Sequence, residues 1–453
     1  MSERLDYTDF GLSKQGGFLA VGKLLSCLAM NTPTAIAEAN SKYVWSVGID
    51  WADQKHDITQ HCLTDGRYQT FQIGADAVSV RAWLKELKEL SGPQGRAVVG
   101  FEQSRGSLFE MLREQKDWLD LYPLNPLTPT RYRQTFYSSG AKDDPLDSQL
   151  IEELVCKHLN RLRLYQPPEP VLCELDLLCQ LRRKAVDNAV RFENQLRSHL
   201  KVYYPLVLEL HEELDSTLTL HFLKRWPTLQ ALKRAKVQTL RSFYYQHHSR
   251  SQTLIEERLQ KIAGAQAVTE DRTLIGPLVL SVQGLVSQLL AQKATEAAFD
   301  KAIQELARKH PDYPIFESLP GAGLQIAPRL MVAFGSDRSA LTDPSQMQKK
   351  SGIAPVLDRS SQSEKIRRRW CRPKFLCQTF HEFAGCSIPH CAWAKAYYQN
   401  LLSRGKSHNT AVRALAFKWI RIIFRLWQDH TLYDDERHLR NLTKRHSPLS
   451  SKI

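Results

Sequence analysis

Apolar residues in the first third of the chain form short blocks that predict alternating strands and helices. Residues 43–50, YVWSVGID, read as a buried strand, because a short apolar run bounded by polar residues is typical of one. Alternating stretches at 56–63 and 67–74 flank Asp65-Gly66, which predicts a β-hairpin. Further along, the spacing predicts helices over 76–90 and 107–115, strands over 96–102 and 118–125, and a helix that begins near Asp144 after a polar loop.

The predicted order of three strands, helix, strand, helix, strand and helix is typical of the ribonuclease H (RNase H) architecture. In that fold the first and fourth strands lie side by side, so residues at their ends come together. A doubly wound nucleotide-binding fold would instead need a glycine-rich loop after the first strand. The chain has Asp50-Trp51-Ala52-Asp53 at that place, which disfavours this alternative.

Helical spacing dominates the rest of the chain. Residues 175–207 carry apolar side chains three and four positions apart, with Arg and Lys between them, which predicts a long amphipathic helix of coiled-coil type. A spacer, a subunit contact and a helix facing nucleic acid all stay open as its role. Residues 206–310 predict further helices. After Pro320, Gly321 and Gly323 precede an apolar helix, as in a helix-hairpin-helix element, where backbone N–H groups can approach a phosphate.

These patterns predict an α/β N-terminal RNase H-like domain, a helical (coiled-coil) linker and a mostly α C-terminal domain. The predicted segments are an N-terminal extension (1–42), the α/β domain (43–165), the helical region (166–312), the C-terminal domain (313–430) and a basic tail (431–453). We find no apolar run of the roughly 18–20 residues that a membrane span needs. Nine cysteines without regular pairing fit a reducing cytoplasm. A cysteine- and histidine-rich stretch over 371–391 lacks the C-x2-C pair of typical zinc sites.

Positive charge is concentrated near the C-terminus. The net charge is +14, and the residues from Lys349 onward contain 21 Lys and Arg but 7 Asp and Glu, so this last quarter carries the whole excess. A local basic block implies a polyanionic partner, most simply nucleic acid. A basic amphipathic helix over 404–427 belongs to this block. The candidate nucleic-acid-binding residues of the basic block are Lys365, Arg367, Arg368, Arg369, Arg372 and Lys374. Gly321 and Gly323, which precede the block, are further candidates. The alternative is a basic face that only keeps the protein soluble.

Four carboxylates stand where the predicted fold would gather them. Asp50 and Glu102 end neighbouring strands, and Asp144 and Asp147, three residues apart, share a face at the start of a helix. Carboxylates are preferred ligands of Mg²⁺, which neutralises charge in phosphodiester chemistry. Asp144 before Pro145 is also a typical helix cap, and Asp147 fits a capping box, so capping and metal binding both stay open. Nearby acids of lower rank are Asp53, Asp57 and Asp143.

Serines precede the densest group of basic residues, at positions 360, 361 and 363. A serine can attack phosphorus when it is activated or well placed against an electrophilic phosphate. Adjacent arginines can hold such a phosphate through paired hydrogen bonds. The alternative is a flexible polar loop.

Taken in order, these residues resemble the DEDD-type transposases of bacterial insertion sequences, the bridge-RNA-guided recombinases. In the N-terminal half the similar motifs are Val47 to Asp50, Glu102 to Gly106, Asn125-Pro126, Ala141 to Ser148 and Arg191 to Arg197. In the C-terminal half they are Pro320 to Gly323, Gly352 to Pro355 with Ser360 five residues later, and Gly405-Lys406 through Ala411. The resemblance covers roughly 43–205 and 315–428.

The resemblance implies a RuvC-like domain in which Asp50, Glu102, Asp144 and Asp147 bind Mg²⁺. It implies a C-terminal transposase domain in which Ser360 forms a covalent phosphoserine link to DNA. Ser361 stands where the family commonly has glycine, so the choice between the two serines stays open.

For partners, the resemblance implies DNA, a structured non-coding guide (bridge) RNA and a homo-oligomer, a dimer or tetramer, with composite active sites. We expect such a protein to act on DNA in the bacterial cytoplasm. Two other functions stay open. One is a RuvC-like nuclease or resolvase that uses water as the nucleophile. The other is a non-catalytic nucleic-acid-binding protein.

Overall fold

The computed structural model describes residues 42–102, 106–136, 144–360 and 363–444. These residues form two compact units, which divide in the sequence between Pro167 and Pro168. The first unit is a mixed β-sheet with helices, and the second is helical apart from a β-hairpin. Residues 1–41 of the proposed N-terminal extension and 445–453 of the basic tail lie outside the described residues, and the division into five segments stays a prediction.

The first unit contains a five-stranded sheet in the order β3-β2-β1-β4-β5. Its strands are β1 (Tyr43–Asp50), β2 (Lys55–Cys62), β3 (Tyr68–Gly74), β4 (Arg96–Phe101) and β5 (Leu119–Pro123). Its helices are α1 (Ala77–Ser91), α2 (Ser107–Arg113), α3 (Leu127–Phe136) and α4 (Asp144–His158). The first three strands pair antiparallel, whereas β1, β4 and β5 run parallel, an arrangement consistent with an RNase H-like domain.

The sequence pattern predicted these strands and helices except α3, whose residues we expected to form a polar loop. Helix α3 has the sequence LTPTRYRQTF, in which apolar residues are few and do not repeat at helical spacing. The predicted hairpin is confirmed: β2 and β3 pair through their length, and Gly66 in the turn has φ +77°, a conformation that glycine adopts without strain.

Alternation along β1 and β4 gives the sheet two different faces. One face carries Trp45, Val47 and Ile49, which are buried in a core shared with α1 and α2. The other face carries Gly48 and its neighbour in register, Gly100, and helix α4 packs directly on this pair. Because neither residue has a side chain, the backbone of α4 can approach the backbone of the sheet.

The second unit begins with two long helices and the helices between them. They are α5 (Pro170–Tyr203), α6 (Leu206–Leu210), α7 (Thr217–Arg225), α8 (Leu229–Lys233), α9 (Val237–Gln246), α10 (Gln252–Gly264) and α11 (Arg272–Ala307). Helices α5 and α11 pack against each other, and Arg182 binds Asp300 across the pair through Nε–Oδ1 and Nη2–Oδ2 distances of 2.5 and 3.1 Å. The predicted long amphipathic helix is therefore α5.

Helix α11 is long and apolar enough, over an 18-residue window, to cross a membrane by length and composition alone. The sequence has no continuous apolar run here, because Gly, Ser and Gln interrupt it, but these residues add no charge and the window as a whole is still apolar. In this structure Val282, Leu285, Val286 and Leu289 are buried among the helices of the second unit. In the described structure 22% of that window is buried. One such helix is weak evidence for a membrane span, because core helices and signal sequences meet the same test.

The remainder of the second unit surrounds a large apolar core. Its elements are α12 (Tyr313–Glu317), α13 (Gly323–Phe334), α14 (Pro344–Lys350), β6 (Val356–Ser360), β7 (Ser363–Arg367), α15 (Lys374–His390), α16 (Ala392–Ser403), α17 (His408–Asp429) and α18 (Asp435–Lys444). Trp419, Ile420 and Ile423 of α17 are fully buried, so this basic helix is also the central helix of the core. The serine-rich stretch forms the β6–β7 hairpin, where we had considered a flexible loop.

Candidate active-site centres

Asp50 and Glu102 come together at one edge of the sheet. Ile49 of β1 pairs in parallel register with Phe101 of β4, so the two acids are the next residues along adjacent strands. Side chains alternate between the faces of a sheet, so Asp50 lies on the face of Gly48, two residues before it. Glu102 likewise follows Gly100 by two residues. Both half-buried acids therefore belong to the face that α4 covers.

Helix α4 brings its N-terminus to the same edge. Gly48 lies against Ser148 and Glu152, and Gly100 lies against Ile151 and Val155. The helix therefore begins at the strand ends and runs back along β1 and β4. The side chain of Asp144 is outside the described structure, whereas that of Asp147 is 8% exposed and contacts the guanidinium of Arg133 on α3.

A further acid at this edge is Asp57, which we had ranked below the four candidates. It pairs directly with Asp50 across the antiparallel β1–β2 ladder and is buried. The side-chain amide of Gln72 donates to it at 3.0 Å. By contrast, Asp53 is exposed in the loop after β1, and Asp143 lies outside the described residues. Cross-strand register reveals Asp57, and sequence spacing alone does not.

These side chains fit a hard divalent cation. Asp50, Asp57, Glu102 and Asp147 offer carboxylate oxygens, which Mg²⁺ prefers. Several carboxylates with little exposure also need positive charge nearby, because burial of an unpaired charge is costly. Arg133 supplies one positive charge to Asp147 in this structure.

Ser360 is the last residue of β6 and lies opposite Ser363, the first residue of β7. Residues 361–362, at the tip, lie outside the described structure, as does the side chain of Ser360. The hairpin holds the backbone at position 360 through a ladder that runs to Val356 and Arg367. Lys365 and Arg367 on β7 are exposed.

Next to this hairpin is a cavity of about 730 Å³, here called the basic cavity. Its lining includes five cationic residues: Arg367, Arg368, Arg372, Lys374 and Arg413. One carboxylate, Glu382, also lines it, but Arg329 and Arg183 already bind that carboxylate at 2.6 and 3.2 Å. The positive charge of the cavity is therefore largely uncompensated by the lining residues that the structure describes.

Arg413, on α17, is the residue of this cavity that sequence reasoning missed. Its Nη2 donates to the carbonyl of Gly352 at 3.2 Å, while its buried Nε has no hydrogen-bond partner. Burial lowers the pKa of the Arg413 guanidinium, and repulsion from Arg368 and Arg372 lowers it further. In the sequence it is one of several basic residues on a helix, and only tertiary packing shows that it lines the basic cavity, which Lys418, Arg421 and Arg425 do not.

Gly321, Gly323 and Arg369 are predicted nucleic-acid-binding residues that lie outside the lining of the basic cavity. A Cβ on Gly321 would lie 2.7 Å from the backbone carbon of Cys386, so this glycine allows two backbones to pack closely. Gly323 faces open space. Arg369 is half-buried, and its neighbour Trp370, which we had not singled out, is 92% exposed.

The cysteines of the 371–391 stretch have separate environments. Cys377 is buried near Arg413, Cys391 contacts Tyr433 and Asp435, and Cys371 and Cys386 are exposed. A different group of possible metal ligands, His61, Glu152 and Cys156, lies in the first unit. Sequence reasoning missed it because His61 and Glu152 are 91 positions apart.

Comparison with known proteins places both halves of the chain in one family. Residues 47–205 match a family of IS110 DEDD transposases described as "Transposase", and residues 313–399 match "Transposase IS116/IS110/IS902 family". The "Mini-circle putative transposase for IS117" of Streptomyces coelicolor is 25% identical over 396 residues, covering 86% of this chain and 95% of that protein. The "Insertion element IS110 uncharacterized 43.6 kDa protein" of the same organism is 26% identical over 303 residues, covering 66% and 73% respectively.

A third relative is the "Putative transposase y4uE" of Sinorhizobium fredii. It is 26% identical over 210 residues, which are 45% of this chain and 56% of that protein. The first family match includes the acids at the edge of the sheet where α4 begins, here called the carboxylate edge: Asp50, Asp57, Glu102 and Asp147. The second includes the β6–β7 hairpin with Ser360. The chain belongs to the IS110 family of insertion-element transposases.

Proposed function

We propose that this transposase cuts and rejoins DNA with two chemical centres, a metal-binding carboxylate group and a serine nucleophile. Asp50, Glu102, Asp144 and Asp147 would hold Mg²⁺, and Ser360 would attack the scissile phosphate. The observation that carries the proposal is the juxtaposition of Asp50 and Glu102 on the face where α4 begins. Asp57 is a fifth carboxylate that can bind the metal or orient Asp50.

Within this proposal a bound Mg²⁺ would neutralise negative charge on the phosphate. The chain's own part is to position the serine and the DNA. The hairpin presents position 360, and Arg368, Arg372 and Arg413 offer guanidinium groups that bind phosphate oxygens bidentately. Gly352, with φ +70°, leaves room for the Arg372 side chain, which a Cβ at this position would meet, and its carbonyl accepts a hydrogen bond from Arg413.

The proposed step is a transesterification. The Ser360 Oγ forms a bond to phosphorus as the bond from phosphorus to one deoxyribose oxygen breaks. The serine proton is lost and the leaving oxygen gains one, so no oxidant, reductant or nucleotide is consumed. Attack by a DNA hydroxyl on the phosphoserine would reverse these changes and join a new pair of ends.

We further propose that the protein works in the cytoplasm as a homo-oligomer guided by a structured non-coding RNA. These features rest on the family resemblance and on the basic C-terminal region, whose charge suits both DNA and RNA phosphates. Purification of the protein with a discrete RNA of sequence adjacent to its gene would support guidance. Full activity after nuclease removal of all RNA would contradict it.

Trapping of a covalent protein–DNA adduct tests the serine. The substrate is labelled DNA that carries the element's ends, with Mg²⁺ present or replaced by EDTA. We expect a protease-sensitive adduct that Ser360→Ala abolishes and the control Ser363→Ala retains. Loss of the adduct in Ser361→Ala alone would move the nucleophile by one residue. Cleavage without any adduct would favour the nuclease that uses water.

The metal site is tested by Asp50→Ala, with the exposed loop residue Asp53→Ala as the matched control. We expect Asp50→Ala to abolish cleavage and strand exchange while DNA binding persists. Unchanged recombination in this variant would refute the carboxylate proposal. A wild-type protein that binds DNA but never cuts it, over a range of Mg²⁺ and Mn²⁺ concentrations, would favour the non-catalytic alternative.

A further inference from the structure

The first unit contains a second group of metal-ligand side chains, away from the carboxylate edge. His61 on β2 and Glu152 on α4 are joined by an Nδ1–Oε1 contact of 3.1 Å, and the Glu152 side chain is 4% exposed. Cys156, one helical turn further along α4, completes the group. One ligand atom from each of the three residues lies within 4.8 Å of the others.

This group is separate from the proposed Mg²⁺ site. His61 pairs with Ser46, four residues before Asp50 on β1, which is roughly 13 Å along the strand. Glu152 is five residues beyond Asp147, which is roughly 7.5 Å along the helix. The two groups also differ in chemistry, because the carboxylate edge offers oxygens whereas this group offers one nitrogen, one oxygen and one sulfur.

We propose that His61, Glu152 and Cys156 form a zinc-binding site. Imidazole, carboxylate and thiolate together suit Zn²⁺, whereas Mg²⁺ selects oxygen ligands. Ligand atoms on one tetrahedral Zn²⁺ lie about 3.5 Å apart, so side-chain movements of about 1 Å would close the site. A half-exposed His61 and Cys156 leave room for water as the fourth ligand.

The local fold favours this arrangement. Glu152 and Cys156 are four residues apart on α4 and therefore share a face. That face lies over β2, because Ser148, one turn earlier, contacts Thr59 at 2.8 Å through their hydroxyl groups. A bound zinc would fasten α4, which begins with Asp144 and Asp147, to β2.

Co²⁺ substitution provides the test, because its spectrum reports sulfur ligation. The full-length protein is stripped with EDTA, freed of chelator and titrated with Co²⁺. We expect one Co²⁺ per chain with a thiolate-to-cobalt charge-transfer band, which Zn²⁺ abolishes and excess Mg²⁺ does not. Cys156→Ser should remove the band, and Cys386→Ser, which changes an exposed cysteine of the other unit, should keep it.

His61→Gln is the second variant, which we expect to weaken Co²⁺ binding at least tenfold. Circular dichroism checks that each variant is folded. In the wild type, Zn²⁺ should also raise the melting temperature and slow hydrogen exchange in α4. No charge-transfer band in the wild type, or a band that survives in Cys156→Ser, would overturn the proposal. Loss of the band in Cys386→Ser instead would overturn it as well, by assigning the thiolate to the C-terminal cysteines.

Discussion

Gly48→Ala should displace α4 from the sheet and thereby disrupt the carboxylate edge. A Cβ at position 48 would lie 2.9 Å from the Glu152 Cα and closer still to the Ser148 carbonyl oxygen and the Glu152 amide nitrogen. Ordinary carbon contacts begin near 3.4 Å, so the helix must move by more than 0.5 Å. All three atoms belong to the backbone, so no side-chain rotation can relieve the clash.

Overpacking of this kind costs about 1–3 kcal/mol, and a clash with backbone belongs at the upper end, about 3 kcal/mol. With an m-value of roughly 2 kcal/mol/M, the urea midpoint of the first unit should fall by about 1.5 M. A shift of Asp147 relative to Asp50 by roughly 1 Å should also reduce DNA cleavage about 100-fold.

Hydrogen exchange at increasing urea concentrations, measured by mass spectrometry on peptides from β1 and β4, reports the unfolding of the first unit within the full chain. The control is Gly284→Ala in α11, where a Cβ meets nothing within 4 Å and helix propensity predicts a gain of about 1 kcal/mol. If Gly48→Ala leaves both exchange and cleavage unchanged, then α4 does not need this glycine and our account of the edge is wrong.

Gly100→Ala offers a second comparison, because its Cβ would meet the side chains of Val155 and Ile151. Truncation of Val155 to Ala should therefore recover part of the stability lost in Gly100→Ala, which a double-mutant cycle measures. The same truncation should not rescue Gly48→Ala. Equal rescue of both variants would show that side-chain crowding, and not backbone contact, limits the approach of α4.

Four other substitutions test single interactions. Arg413→Gln should weaken DNA binding about tenfold and lower the salt dependence of the binding constant by about one unit of slope, without loss of stability. The control, exposed Arg425→Gln, should weaken DNA binding less. Equal effects of the two variants in a salt titration would count against the basic cavity as a DNA-binding site. Arg133→Gln leaves the buried Asp147 carboxylate without its guanidinium partner, so the free energy of unfolding should fall by about 3–5 kcal/mol in EDTA and partly recover with Mg²⁺. An unfolding free energy that does not change with Mg²⁺ would exclude a metal at Asp147. Trp370→Ala should weaken the binding of single-stranded nucleic acid by about 1–3 kcal/mol and that of duplex DNA by less, as measured by fluorescence anisotropy. Burial lowers the pKa of His211 to about 3, so the folded protein keeps this histidine neutral where the unfolded chain would protonate it. The free energy of unfolding should therefore be unaffected by His211 above pH 6.5 and fall by up to about 1.4 kcal/mol per pH unit as pH drops towards 3. His211→Gln should flatten that pH dependence in urea unfolding.

Elements with strong local signals were predictable from the sequence. The strand that ends at Asp50 has a continuous apolar run, and the hairpin has an Asp-Gly turn between alternating residues. Helix α3 and the β6–β7 hairpin were not predicted, because neither has apolar residues at a regular period. Helix α3 has a contact outside itself, from Arg133 to Asp147, whereas β6 and β7 are paired with each other from Val356 and Arg367 to Ser360 and Ser363.

For the candidate site, the sequence located the acids that end strands, because a strand end is a local feature. It ranked Asp57 low, since only the register of β1 with β2 places it opposite Asp50. Arg413 and the His61–Glu152 pair were missed for the same reason: their significance depends on residues far away in the chain. Spacing within one helix, as between Glu152 and Cys156, would have been visible but carries little meaning without the strand beneath it.

The glycines of the sheet connect the family motif with its chemistry. In the stretch Val47 to Asp50, the aspartate offers a ligand and the preceding glycine removes the side chain that would keep α4 away. Gly100 does the same two residues before Glu102. The alternation that aims each glycine at α4 also aims the following acid at the N-terminus of that helix, so a Gly-x-acid pattern on two parallel neighbours contributes two of the carboxylates at this edge. We therefore expect the separation of two residues to aim both acids at α4, while the residues between, Ile49 and Phe101, pack in the core on the other face.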